Sequence, residues 1–200
     1  VTNALLYRES GEAHYLSNAR QAVDFPRDAF RDPQTGGYAW VIDWRDGRAK
    51  VLDATRHCYG MAFVMLAYAQ AAMCGIEEAP GWLAETFEVT EKRFWEPLVG
   101  LYADEATVDW VVSPYRGQNA NMHACEAMIA AFAATGEARY IERAEQLAES
   151  ICCRQAALAD GLIWEHYHSD WSIDWNYNRH DKSNIFRPWG FQPGHLTEWA

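Results

Sequence analysis

Several features that identify common classes of protein are missing from this sequence of 200 residues. No stretch reaches the roughly 18 apolar residues of a membrane-spanning helix, and the chain does not begin with the charged and apolar regions of a signal peptide. Lys and Arg form no run and the net charge is −11, which disfavours binding to nucleic acid. Gly-rich phosphate loops, dinucleotide fingerprints and Ser nucleophile elbows are also absent. The sequence therefore predicts no membrane or nucleic-acid partner and no cofactor.

The cysteines show no spacing typical of a metal site. Their number is odd, and four of the five lie within apolar stretches typical of helices; they are Cys58, Cys74, Cys125, Cys152 and Cys153. We expect reduced thiols that behave as small buried residues, as is usual in cytosolic proteins. This use of cysteine predicts a cytoplasmic location.

An internal repeat organises the chain. The segment SGEAHYLSNARQAV from Ser10 recurs as TGEARYIERAEQLA from Thr135, and a weaker copy begins at Cys74. Each copy joins an apolar helix to an amphipathic one through a turn whose glycine is in the place expected for a helix C-cap. The glycines lie about 60 residues apart, at Gly11, Gly75 and Gly136. This period is typical of stacked supersecondary units, so the repeat predicts helical hairpins in series.

A different kind of sequence follows each amphipathic helix. The stretches 32–53, 96–114 and 159–181 contain Gly turns and alternate aromatic with aliphatic residues, and Asp46-Gly47 is a signal for a tight β-hairpin. Strands separated by two helices each time do not favour one central sheet. We therefore expect a mainly α fold with short β-hairpins at one rim. The helical hairpins would form either an open solenoid or a closed toroid of inner and outer helices.

Two of the inner helices begin with the same dyad, His-x-x-Glu, as His123/Glu126 and His195/Glu198. Residues three apart share one face of a helix, so each dyad would place an imidazole beside a carboxylate. An imidazole with a pKa near neutrality suits a proton shuttle. In a closed toroid the first turns of the inner helices would face one mouth. The side chains that we expect at this mouth are Tyr59, Asn119, His123, His195 and Glu198.

Several other polar residues lie near these helix starts. Arg187 lies just before the second dyad, where a guanidinium could orient hydroxyls or stabilise an enolate oxygen, or else stack on Trp189 or Phe191. Arg56 and His57 are interpreted as polar caps of an inner helix. The residues interpreted as rim or solvated surface are His166, His168, His180, Glu165 and Asp170.

A metal site is an alternative at the dyads, because His and a carboxylate one helical turn apart can ligate iron or zinc. Di-iron bundles use the reverse order, Glu-x-x-His, together with carboxylates from partner helices. Such additional acids are not evident in this sequence. The prediction is therefore acid–base chemistry by His without a catalytic metal.

Three motifs, YRGQNANMHACEA (115–127), FWEP (94–97) and RPWGFQPGHLTEW (187–199), resemble the N-acylglucosamine 2-epimerase superfamily. This superfamily includes cellobiose 2-epimerases and aldose–ketose isomerases, and its D-mannose isomerases are the most similar branch. The resemblance implies an (α/α)6 barrel. It also implies metal-independent interconversion of an unphosphorylated aldose and ketose, of the mannose/fructose type, through a cis-enediol. A sugar 2-epimerase stays open, as does a carbohydrate-binding or glycoside-hydrolysing α-toroid with two acidic residues across its mouth.

The same motifs imply roles for individual residues. His195 is implied as the general base on C2, Glu198 as the group that holds its tautomer, and His123 as a further residue of the catalytic site. The substrate-binding residues that the resemblance implies are Asn119, Tyr59 and Arg187.

The resemblance also implies that residues 1–200 are a partial barrel domain, truncated at both ends. Members of the superfamily are roughly twice this length, and their second catalytic His would follow Ala200. An Arg from the first inner helix would precede Val1. We therefore expect about three of the six helical hairpins, an incomplete site, and little or no activity of these residues alone. The oligomeric state stays open.

Overall fold

The computed structural model describes residues 1–181 and 183–200. These residues contain seven α-helices and eight short strands. The helices are α1 (Thr2–Ser10), α2 (Ala13–Ala29), α3 (Cys58–Met73), α4 (Ala79–Phe94), α5 (Gln118–Thr135), α6 (Ala138–Ala148) and α7 (Pro193–Trp199). The strands are β1 (Val41–Arg45), β2 (Arg48–Asp53), β3 (Arg56–His57), β4 (Trp95–Glu96), β5 (Leu101–Tyr102), β6 (Glu105–Ala106), β7 (Arg116–Gly117) and β8 (His166–Tyr167). The prediction of a mainly α fold with short hairpins is confirmed.

Three helical hairpins, α1–α2, α3–α4 and α5–α6, follow one another along the chain. Gly11 and Gly136 end α1 and α5 as C-caps, each with a φ of 71°, a conformation that only glycine adopts at little cost. Helix α3 differs, because its C-cap is Cys74 and Gly75, with a φ of 82°, follows one residue later. The repeated glycines therefore turn the chain where the sequence predicted. Helix α6 continues into a π-helical segment, Glu149–Gln155, which the sequence did not predict.

Helices α3 and α5 form an inner pair. They pack against each other, while α2 and α4 pack on α3 and α6 packs on α5. Both inner helices bury apolar side chains on several sides, such as Met65 and Tyr68 of α3 and Met128 of α5. The outer helices face solvent and are joined by ion pairs, of which the one between Arg20 of α2 and Glu78, the N-cap of α4, spans 2.7 Å. The inner and outer helices thus form two layers, as the difference in hydrophobicity predicted.

The hairpins bring later parts of the chain to the starts of the inner helices. Strand β1 turns into β2 through Asp46 and Gly47, both with positive φ, as the Asp-Gly pair predicted. Strand β3, just before α3, pairs with β6, so that His57 lies opposite Glu105. Strand β7, just before α5, pairs with β8, so that Gly117 lies opposite His166. Acidic residues in or next to β6 and β8 therefore reach the N-terminal ends of α3 and α5.

The prediction about the cysteines is confirmed only in part. All five cysteines are free thiols, but only Cys58 and Cys125 are buried and Cys153 is exposed. The expectation of five buried thiols was therefore wrong in part. Across the ranges 1–181 and 183–200, none of the helices has the length and apolar character needed to cross a membrane.

Candidate active site

The N-terminal turns of α3, α5 and α7 come together, and we call the space that they face the mouth. The ring of Tyr59, from the first turn of α3, meets the ring of His123 edge to face at 5.1 Å. Phe63, one turn further along α3, lies 4.6 Å from the same imidazole. Burial raises the pKa of the Tyr59 hydroxyl, and the charge of Glu198 on α7 raises it further. Side chains from the three helices are thus close enough at the mouth to interact through ring contacts and charge, as predicted.

The dyad on α5 forms as its spacing predicted. His123 Nδ1 lies 3.2 Å from Glu126 Oε2. The imidazole is mostly buried, whereas the Glu126 side chain is 57% exposed. Asn119, one turn earlier, has a buried Oδ1 for which the described residues offer no hydrogen-bond donor. Buried amide oxygens are normally satisfied, so this oxygen is an exception among the described residues.

His195, in the first turn of α7, makes a different contact from the one predicted. Its Nδ1 lies 2.9 Å from Glu165 Oε2, and Gln118 Nε2 donates to the same oxygen at 3.0 Å. Trp199 Nε1 in turn donates to Gln118 Oε1 at 2.6 Å. The hydrogen bond to Glu165 raises the pKa of the His195 imidazole above its ordinary value, against the effect of burial.

Two expectations about carboxylates were therefore wrong. No hydrogen bond joins Glu198 to His195 in the part of the chain that the structure describes, and Glu198 is exposed. Its charge still contributes to raising the pKa of His195. Glu165, expected to be a solvated charge, is only 4% exposed, because the β7–β8 pairing places it against the start of α5. Asp170 is exposed, as expected.

Arg187 lies beside the mouth and contacts acidic and aromatic side chains. Its Nη2 donates to Asp104 Oδ1 at 2.9 Å and to Glu105 Oε2 at 2.7 Å. The guanidinium stacks over Tyr115, with its Cζ 4.0 Å from the ring centre, rather than over Trp189 or Phe191. Burial raises the pKa of Asp104 to about 6, although the charge of Arg187 opposes this shift.

The interpretation of Arg56 and His57 as polar helix caps holds only in part. His57 is the N-cap residue of α3, but its side chain makes no capping hydrogen bond among the described residues. The Arg56 side chain is buried and donates to Asp32 Oδ2 at 3.1 Å. His57 Nδ1 lies 3.6 Å from Glu105 Oε2. Burial lowers the pKa of this imidazole, while Glu105 opposes the shift.

His57, Asp104 and Glu105 have potential metal-ligating atoms that all lie within 4.8 Å of one another. Arg187 donates hydrogen bonds to both carboxylates. These oxygens therefore already have a cationic partner, and a metal ion would compete with the guanidinium for them. The expectation of chemistry without a catalytic metal stays a prediction.

His166 was expected at the rim but is 1% exposed. Its Nε2 lies 2.8 Å from the carbonyl oxygen of Pro188 and must donate to it, because a carbonyl only accepts. Its Nδ1 therefore accepts from the Tyr115 hydroxyl at 2.9 Å. Burial lowers the pKa of this imidazole, so both nitrogens serve a neutral structural His. His168 and His180 are exposed, as expected of rim residues.

Sequence reasoning did not select several residues that contact the predicted site residues. Gln118 directly precedes the NANMH motif, and Glu165 stands between Trp164 and the buried His166. The sequence offered one indication that Glu165 is buried: it lies within a stretch of aromatic residues that predicts a strand. The residues in this group are Asp104, Glu105, Gln118, Glu165 and Trp199.

The arrangement can exchange protons with a small polar ligand. The Tyr59 hydroxyl, the Asn119 amide and the His195 imidazole, whose pKa is raised, lie in the first turns of α3, α5 and α7. Such a set can bind hydroxyl groups and can accept and return a proton near neutral pH.

The chain is similar to known proteins in both sequence and fold. The family described as N-acylglucosamine 2-epimerase (GlcNAc 2-epimerase) matches residues 2–200. A D-mannose isomerase of Marinomonas mediterranea is 49% identical over 199 residues, which cover 98% of this chain and 49% of that protein. A crystal structure of D-mannose isomerase matches with a TM-score of 0.93 and 48% identity, over 98% of this chain and 50% of that chain. Cellobiose 2-epimerase from Spirochaeta thermophila, at 22% identity, shares the fold with a TM-score of 0.77 over 99% of this chain and 54% of that chain.

The chain spans about half the length of the curated relatives that it matches. In fold it corresponds to about half of an α/α barrel of the cellobiose 2-epimerase type. The resemblance seen in the motifs at 94–97, 115–127 and 187–199 is confirmed along nearly the whole chain. This chain belongs to the N-acylglucosamine 2-epimerase family.

Proposed function

We propose that this chain is part of a metal-independent aldose–ketose isomerase that interconverts D-mannose and D-fructose. The observation that carries the proposal is His195, whose imidazole is held at the mouth with a raised pKa beside polar residues of α3 and α5. The identity of 49% to a protein named D-mannose isomerase supports this choice of sugar. The substrate is thus a free monosaccharide. The free thiols fit the proposed cytoplasmic location.

In the proposed reaction, His195 removes the proton from C2 of the open-chain aldose. The electron pair of the C2–H bond becomes the C1=C2 double bond, and O1 takes up a proton, which gives a cis-enediol. O2 then loses its proton and becomes the new carbonyl oxygen, while C1 takes a proton and the ketose forms. Carbon C1 is reduced and C2 is oxidised within one molecule, so no external oxidant is needed. The hydrogen bond to Glu165 raises the pKa of His195, and an imidazole that titrates near neutrality can both accept and return a proton.

The other predicted residues are proposed to hold the sugar. The Asn119 side chain is half-buried, and its amide can bind a sugar hydroxyl as donor or acceptor. The Nδ1 of His123 is engaged with Glu126, which leaves its Nε2 for the substrate. Tyr59 offers a hydroxyl against the same imidazole. Arg187 and Glu198 flank the mouth as charged groups, of which Glu198 is exposed.

We propose further that residues 1–200 supply about three of six helical hairpins of the barrel. The coverage of only 49% of the Marinomonas relative supports this. The group that opens the sugar ring and protonates O1 is then a His from the other half of the barrel. The experiments below therefore use the full-length polypeptide that contains this sequence.

The alternatives predict other arrangements or products. A glycoside hydrolase needs two carboxyl groups across its mouth, but the two buried carboxylates near this site, Asp104 and Glu165, are bound to Arg187 and His195. A 2-epimerase would use the same base and return the proton to the other face of C2. The product therefore separates an epimerase from an isomerase.

The proposal is tested by NMR of D-mannose in heavy water with the full-length polypeptide. We expect fructose that carries solvent deuterium at C1. Formation of glucose would instead identify a 2-epimerase, and a spectrum with neither product nor exchange of the C2 proton would contradict both functions.

The role of His195 is tested with His195→Asn in the same assay. We expect the exchange of the C2 proton to fall by about 100-fold or more, the usual contribution of a general base. The matched control is His168→Asn, because the His168 side chain is 57% exposed and has no proposed role. Exchange at the wild-type rate in His195→Asn would refute the assignment of the base.

A further inference from the structure

We propose that Glu165 is the residue that positions His195 and sets its protonation, and that Glu198 is thereby left free to face the substrate. The proposal rests on the proposed function and deepens it. The motif spacing pointed to Glu198 as the partner of His195, three residues away on the same helix. The structure instead gives His195 a buried carboxylate from a segment 30 residues earlier in the chain.

The contact fixes which nitrogen of His195 carries the proton. A carboxylate oxygen only accepts hydrogen bonds, so His195 Nδ1, at 2.9 Å from Glu165 Oε2, is assigned as the N–H donor. Gln118 Nε2 also lies 3.0 Å from Nδ1, but with this tautomer both nitrogens donate to the Glu165 oxygen and neither donates to the other. The other nitrogen, Nε2, then holds the lone pair that can take a proton from carbon. The side chain remains 27% exposed, so the ring keeps access to the mouth. A carboxylate on one ring nitrogen and a reacting atom on the other is the arrangement that orients a general base.

Gln118 and Trp199 fix the carboxylate itself. The indole of Trp199 donates to Gln118 Oε1 at 2.6 Å, which identifies the other end of this amide as the NH2 group. That group donates to Glu165 Oε2 at 3.0 Å, and the backbone N–H of Gln118 donates to the Glu165 carbonyl oxygen at 3.2 Å. Gln118 is fully buried. Glu165 is therefore held from α5 and, through Trp199, from the same helix that carries His195.

The buried carboxylate of Glu165 is only partly hydrogen-bonded among the described residues. Its second oxygen, Oε1, is buried and finds no hydrogen-bond donor among residues 1–181 and 183–200. A buried carboxylate that is only half satisfied destabilises a fold. A charge kept in such a position, in contact with an imidazole that faces a mouth, is typical of a functional site.

Two carboxylates act on the charge of His195, Glu165 from the segment before β8 and Glu198 from α7 itself. Only Glu165 is hydrogen-bonded to the ring and shielded from water, so its influence is larger and less sensitive to salt. Glu198 is exposed and makes no hydrogen bond to the ring. Both oxygens of its carboxylate can therefore contact sugar hydroxyls, whereas a hydrogen bond to His195 would have engaged one of them.

The test is Glu165→Gln in the full-length enzyme, with kcat and KM measured against pH. The amide keeps the shape but can offer an N–H to His195 Nδ1, which favours the wrong tautomer. We expect kcat to fall by about 100-fold or more, with little change in KM. The acidic limb of the kcat/KM profile should move to lower pH, because the negative charge that raised the pKa of His195 is gone.

The matched control is Asp170→Asn, which removes one negative charge from the exposed turn that follows β8. We expect its kcat and its acidic limb to match the wild type. A purely structural role for Glu165 would lower the amount of folded enzyme without moving the limb. An unmoved limb in Glu165→Gln, or a wild-type kcat, would therefore overturn the proposal.

A second measurement does not depend on turnover. In 15N NMR of histidine-labelled full-length protein, we expect His195 to carry its proton on Nδ1 in the wild type and to titrate at lower pH in Glu165→Gln. An Nε2–H tautomer in the wild type would refute the positioning role even if the enzyme isomerises mannose. A wild type that shows the Nδ1–H tautomer but no isomerisation would refute the proposed function instead.

Discussion

At the scale of single residues, burial decides which carboxylate binds an imidazole. The contact between His123 and Glu126 could be predicted, because two residues three apart on a helix are neighbours wherever the helix lies. The partner of His195 could not be predicted in this way. Glu165 reaches it only through the pairing of β7 with β8, and its low exposure makes its charge more effective than that of Glu198. Local spacing therefore identified the base but not the residue that holds it.

A pH-dependent loss of stability follows from the buried His166. Its folded pKa lies below the ordinary 6.5 because of burial, so the unfolded chain binds more protons below pH 6.5. The free energy of unfolding therefore falls as the pH drops through 6.5 towards the folded pKa, by at most about 1.4 kcal/mol per pH unit for one group. We expect denaturant titrations between pH 7.5 and 5.5 to show this loss in the wild type.

The control is His166→Gln, whose amide can still donate to the Pro188 carbonyl and accept from Tyr115 but does not titrate. The groups with other shifts, His57, His195 and Asp104, are common to both proteins. The difference in stability between wild type and variant should therefore shrink as the pH falls. A difference that stays constant with pH would contradict a neutral, buried His166.

At the scale of elements, the sequence predicted what short-range signals encode. Glycines that end helices and the Asp-Gly turn are local, and the structure has them where expected. The pairing of β3 with β6 and of β7 with β8 joins residues about 50 positions apart. These strands have only two residues each, too few for a periodic pattern. The pairs nevertheless bring Asp104, Glu105 and Glu165 to the inner helices, which is why sequence reasoning did not find them.

The crowded start of α5 gives a second prediction. A Cβ added to Gly117 would lie 2.8 Å from the Tyr115 hydroxyl oxygen and 2.9 Å from Asp104 Oδ2, both of which are anchored around Arg187. We expect Gly117→Ala to lower the free energy of unfolding by roughly 1–3 kcal/mol through this overpacking. Urea denaturation of the full-length protein measures the change.

Gly81 on α4 provides the comparison, since nothing lies within 4 Å of an added Cβ there. The position is exposed and helical, so Gly81→Ala should stabilise the protein by about 0.5–1 kcal/mol. If Gly117→Ala unfolds at the same denaturant concentration as the wild type, the close contacts at the start of α5 are wrong.

At the scale of the whole molecule, the ring of helices is only partly present in this chain. Large apolar side chains on the inner helices remain exposed, among them Phe63 at 38%, Ile129 at 51% and Phe132 at 38%. Residues of this kind are normally covered in an inner layer. Their exposure fits the proposal that further hairpins of a barrel pack against α3 and α5, which would also close the mouth around His195.

The last prediction concerns residues 1–200 as an isolated polypeptide. Isomerisation needs a base at C2 and a second group that opens the ring and protonates O1, and only the base is proposed to lie here. Without the other half of the barrel, water would also reach the enediol, and the electrostatic stabilisation of its oxygens would weaken. We therefore expect purified residues 1–200 to give no detectable conversion of D-mannose to fructose under conditions in which the full-length polypeptide does. Substantial conversion by the 200-residue chain would show that both acid–base groups lie within it, and the half-barrel proposal would fail.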